Sequence, residues 1–71
     1  MTVTLKRTGS RAERVTVQDP EAAARVVTEW QDANDIGASD LDRGHGLIHD
    51  GSRVVARVSY NGRVWPVEVS P

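Results

Sequence analysis

Two Xaa-Gly dipeptides, Asp50-Gly51 and Asn61-Gly62, stand in a stretch where apolar residues alternate with polar ones. Such pairs favour two-residue hairpin loops of the primed type, whose central residues take positive φ. Read that way, the second loop pairs Tyr60 with Arg63, Val58 with Trp65, Ala56 with Val67 and Val54 with Val69. The first pairs Leu47 with Val54 and His45 with Ala56. Both registers gather Leu47, Val54, Ala56, Val58, Trp65 and Val67 on one face and leave Ile48, Arg53, Val55, Arg57, Ser59, Val64 and Glu68 on the other. A slip of one residue would exchange the faces. Pro66 has no backbone N–H, which puts the last strand at a sheet edge.

The N-terminal part carries a third hairpin. Val3 and Leu5 alternate with polar residues, as do Val15 and Val17. A Gly9-Ser10 loop would oppose Leu5 to Arg14, whereas a Gly9–Arg11 loop opposes Leu5 to Val15, Val3 to Val17 and Arg7 to Glu13. The second register is the chemically consistent one.

Between the hairpins, Asp19-Pro20-Glu21 is a helix start. Asp19 can accept from orphan N–H groups, Pro20 suits the first helical position, and Glu21 suits the positive end of the dipole. Ala23, Val26, Val27, Trp30 and Ala33 form a stripe at helical spacing, and Asn34 and Gly37 supply the stop. Residues 36–43 read as a polar loop. The chain is thus an α+β domain over 1–71, of order ββαβββ. A single helix covers one face of a mainly antiparallel sheet, with Trp30 near Trp65, Leu47 and Val58.

Seventy-one residues without cysteine exclude a disulfide framework, a thiolate metal site and a cysteine nucleophile. The absence of an apolar leader, or of a span of roughly 20 apolar residues, predicts a cytoplasmic protein with no membrane partner. No motif assigns a catalytic residue. Ser52 and Ser59 lie in no nucleophile pattern, and Gly44-His45-Gly46 is neither a dinucleotide nor a nucleotide fingerprint. His45 and His49 are four residues apart, about 13 Å on a strand, too far to share an ion. They read as rim histidines bonded to backbone or water. The run from Asp32 to Gly37 suggests a calcium loop, but Ile36 and Arg43 occupy positions that need oxygen ligands. Neither a metal nor a cofactor is expected, and the chain reads as a non-enzyme.

What remains is binding. The net charge of −1 conceals segregation. Lys6, Arg7, Arg11 and Arg14 outweigh Glu13 in the first hairpin, whereas seven carboxylates oppose Arg25 alone over 18–42. On the outer sheet face Ile48, Val55 and Val64 would form an apolar strip beside Arg57, suited to a protein contact. Glu29, Asp32 and Asp35, continued by Asp40 and Asp42, form an acidic path that could imitate phosphates or simply stay hydrated. The leading expectation is a small protein-interaction module, either a homodimer or an inhibitor or accessory protein acting on a larger assembly. Its partner would be itself or a host protein. The alternative is nucleic-acid binding through Lys6, Arg14, Arg53 and Arg57, opposed by the expected placement of Trp30, Tyr60 and Trp65 on the core side or its rim. In size, element order and lack of a catalytic signature, the chain resembles small accessory proteins of phages and plasmids, a group that includes inhibitors of host defence. The likeness implies a binding role and carries no residue assignment.

Overall fold

A computed structural model describes residues 1–42 and 44–67. The strands are β1 (Thr2–Leu5), β2 (Glu13–Thr16), β3 (Leu47–Asp50), β4 (Arg53–Val58) and β5 (Val64–Pro66), with helix α1 (Pro20–Ala33) between β2 and β3. They make one antiparallel sheet of order β2-β1-β3-β4-β5, so the expected ββαβββ α+β architecture holds and Pro66 lies in an edge strand.

Helix α1 starts where its sequence directs. The Asp19 carboxylate accepts from the Ala22 N–H at 2.7 Å, and Pro20 fills the first position. It ends in a Schellman motif. Ile36 N–H donates to the Gln31 carbonyl (3.0 Å) and Asp35 N–H to the Asp32 carbonyl (3.3 Å). Asp35, not Gly37, takes the left-handed conformation this ending requires, at φ +51. The buried line of the helix is Ala23, Val27 and Gln31, whereas Ala33, expected in the stripe, is exposed. Against that line pack Val3, Leu5, Ile48, Ala56 and Val58, an all-aliphatic core with Val17 at its margin. Each buried Val, Leu or Ile side chain contributes about 1.5–3 kcal/mol by burial, and each alanine methyl less.

All three expected registers are corrected. In the first hairpin Val3 opposes Val15 and Leu5 opposes Glu13, and Val17 N–H donates to the Met1 carbonyl at 2.9 Å. The shift is by two positions, so every side chain keeps its face. It arises because the backbone beyond Leu5 leaves β2 and binds the loop before β3. Lys6 N–H donates to His45, Arg7 bridges Leu41, and Thr8 N–H donates to the Asp40 carbonyl at 2.7 Å.

In the β3–β4 hairpin the loop is Gly51-Ser52, because Asp50 pairs with Arg53. Gly51 alone takes positive φ (+66), at the first central position, as a type II′ turn demands. His49 then pairs with Val54, and a bulge inserts Val55 before Ile48 pairs with Ala56 and Leu47 with Arg57. Ile48 therefore turns inward and is 0% exposed, and Leu47 turns outward.

In the β4–β5 hairpin the loop is Tyr60-Asn61-Gly62. Ser59 N–H donates to the Arg63 carbonyl (2.8 Å) and Gly62 N–H to the Ser59 carbonyl (2.9 Å). Gly62 alone is left-handed, at φ +84, which fits a three-residue loop rather than the two-residue type. Val58 pairs with Val64 and Arg57 with Trp65, an odd shift that exchanges the expected faces of β5. Val64 packs on the core and Trp65 faces solvent. The expected Val54–Val69 pair lies outside the described residues. Trp30 does not meet Trp65; it stacks on His45, with ring centroids 5.3 Å apart.

Candidate interaction surface

Helix α1 packs on β1, β4 and β5 from one side, and no second α-helix among the described residues covers the other. On that side the registers set Arg14 opposite Thr4 on β2 and β1, and align Leu47, Arg57 and Trp65 across β3, β4 and β5. At the usual strand spacing the Leu47–Arg57–Trp65 row is roughly 10 Å long. Arg14, Arg57 and Trp65 are exposed, Leu47 is half-buried and Thr4 is buried between its neighbours. The adjacent row contains Thr16, Thr2 and His49, followed by the bulge at Val54 and Val55. None of these outward positions carries a carboxylate, so the face is cationic with an apolar patch around Leu47 and Trp65.

The residues expected to make a partner contact are dispersed. Ile48 is in the core, Val64 packs against the core from β5, and Val55 is the half-buried extra residue of the bulge. They do not form an outer strip. Arg57 is on the uncovered face as expected, with Trp65 and Leu47 beside it in place of the three aliphatic residues. Of the basic set, Lys6 is half-buried and its ammonium pairs with Asp42 at 2.8 Å, and Arg53 flanks the Gly51-Ser52 loop. Glu29, Asp32 and Asp35 are exposed on α1 and at its end, across the molecule from Arg57.

Histidines expected at the rim sit deeper. His45 is 5% exposed and bonded at both ring nitrogens. His49 is half-buried on the uncovered face, and its Nδ1 is buried without a hydrogen-bond partner among the described residues. Among those residues no group of three or more His, Asp or Glu side chains is placed to hold a metal ion, and no helix is long and apolar enough to cross a membrane.

Sequence reading missed the polar cluster at the end of the core. The Gln31 Nε2 donates to the Tyr60 carbonyl at 2.9 Å, and its Oε1 lies 2.9 Å from His45 Nε2. Lys6 N–H reaches His45 Nδ1 at 3.0 Å. Burial holds the His45 imidazole below its ordinary pKa. A usable signal was present: Gln31 continues the Ala23, Val27 line at four-residue spacing, and a buried amide requires partners. Gly46 seats the cluster. At φ +79 its N–H donates to the Thr4 carbonyl and its carbonyl accepts from Val58 N–H, both at 2.8 Å, and a Cβ there would lie 2.2 Å from the Val58 oxygen.

Searches against protein-family models, curated proteins and solved structures find no match to this chain.

Proposed function

We propose that this chain is a non-catalytic interaction module that engages a protein partner through the uncovered face of its sheet. The observation that supports this reading is Trp65, 55% exposed and directly opposite Arg57, with no carboxylate at the neighbouring outward strand positions among the described residues. Trp and Arg dominate binding energy at protein contacts because each combines a large apolar area with fixed donors. The face favours a partner with acidic and apolar character. Two copies face to face would bring two surfaces bearing Arg14 and Arg57 together, so charge opposes a homodimer of that kind and favours the reading as an accessory or inhibitory protein. The acidic side chains Glu29, Asp32 and Asp35 offer a second contact, toward a basic surface.

Nucleic-acid binding is the second reading, favoured by the same residue. An exposed indole beside a guanidinium is a stacking platform for an unpaired base, which the expected inward placement of Trp65 denied.

One experiment separates the readings. A photoreactive amino acid at position 65 is cross-linked in the native cell, with position 28 on α1 as the control. A protease-sensitive adduct at 65 and none at 28 supports the protein partner. A nuclease-sensitive adduct selects the second reading, and no adduct at 65 overturns both.

A further inference from the structure

The cluster around His45 is a directional chain whose two ends are backbone groups. Tyr60 ends it with a carbonyl, which can only accept, so the Gln31 amide nitrogen must face it and the amide oxygen must face His45. His45 Nε2 is therefore the donor and carries the proton. Lys6 ends the chain with an N–H, which can only donate, so His45 Nδ1 must be the bare acceptor. The fold thus requires one neutral tautomer, and it ties the end of β1, helix α1 and the β4–β5 turn together.

We propose that Gln31 and His45 form an acid-released latch: protonation of His45 frees the end of β1 and the β4–β5 turn from α1 while the sheet stays paired. A proton on Nδ1 faces the Lys6 N–H, donor against donor, and that hydrogen bond is lost. A ring that turns to find Nδ1–H a new acceptor withdraws Nε2–H from Gln31, which then has no fixed orientation toward Tyr60. The charged groups around the ring add to this. The Lys6 ammonium at the end of β1 and the Arg57 guanidinium of β4 oppose a second cation. The Asp42 carboxylate on the loop favours one but is engaged with Lys6. The Tyr60 phenol donates elsewhere, to the Ile36 carbonyl, and α1 presents the uncharged Trp30 ring and Gln31. A cleft of about 340 Å³, lined by His45, Asp42, Arg57 and Tyr60 among others, gives the proton a route from solvent.

The test is an NMR titration of the intact ¹⁵N-labelled protein from neutral to mildly acidic pH. The expected neutral state has a bare Nδ1 on His45. Between the ordinary imidazole value of about 6.5 and the His45 midpoint, the exchange protection of the Lys6 amide and the Gln31 side-chain amide falls together, by at most about tenfold per pH unit, while Val3 and Ile48 amides stay protected. Protonation of His45 with Lys6 and Gln31 protection unchanged overturns the latch, as does loss of all four signals at one midpoint. In Gln31→Glu the new carboxylate faces Nε2–H, so the His45 midpoint moves up; an unmoved midpoint also overturns the proposal.

Discussion

Adjacent residues of one strand meet opposite surroundings in this sheet. Ile48 lies on the inner face among Val3, Ala56 and Val58, sealed by α1, and Leu47 lies on the outer face beside Arg57. Val64 and Trp65 divide in the same way on β5. The inner face is aliphatic except at one end, where Gln31 and His45 satisfy each other. The outer face is cationic and ends in an exposed indole. The difference teaches that the turns decide which side chains are for holding the fold and which are free for contact: one residue more or less in a loop reassigns a whole strand.

The sharpest break in that comparison is expected at β3. Ile48→Ala empties a fully buried site and is expected to cost about 2–5 kcal/mol, most of the stability of a small domain. Leu47→Ala is expected to cost no more than about 1.5 kcal/mol. Urea unfolding of both variants measures the pair, and the reverse ranking would mean the faces are exchanged.

Next in size is the polar end of the inner face. Gln31→Leu keeps the bulk but leaves the Tyr60 carbonyl and the His45 Nε2–H without partners, an expected loss of about 1–3 kcal/mol. The same unfolding measurement checks it; an unchanged midpoint would mean that water replaces the amide at no cost.

A smaller, pH-dependent effect follows from His45. Burial lowers its pKa in the folded chain, so on acidification the unfolded chain takes up the proton first. Its contribution is therefore fully present above the ordinary imidazole value of about 6.5 and declines below it, by at most about 1.4 kcal/mol per pH unit, until the folded His45 itself titrates. Urea midpoints at about pH 7.5 and about pH 5.5 should differ in the wild type, and His45→Gln should lack this part of the difference.

The smallest effect on stability belongs to the outer face. Trp65→Ala is expected to change it by about 0.5 kcal/mol while removing the cross-linked contact described above. A thermal melt and the cross-linking yield, measured on one preparation, separate the two roles.

The helix and element order were legible because their signals are local: an Asp19 cap, Pro20 at the first position and a stripe through Ala23 and Val27. Pro66 marked its strand as an edge for an equally local reason. The registers were not, because Asp50-Gly51-Ser52 and Tyr60-Asn61-Gly62 each allow two loop phases, and the choice rests on whether the residue before the glycine, Asp50 or Asn61, also takes positive φ, which neither does. Nothing in the residues marks the bulge at Val55, which is set by how β3 fits between β1 and β4. The candidate site suffered most, since Ile48, Val55 and Val64 were placed by those phases, while Arg57 lay on the outer face under both. His45 was hidden for another reason: its partners, Lys6 and Gln31, are brought to it by tertiary structure alone.

The central assignment is that Trp65 stands in solvent beside Arg57 on the side of the sheet away from α1. Acrylamide quenching of the Trp30→Phe protein, in which Trp65 is the remaining tryptophan, tests it directly. The expected result is a red-shifted emission quenched nearly as readily as free indole in water. A blue-shifted emission protected from acrylamide would put Trp65 under the helix and contradict the account.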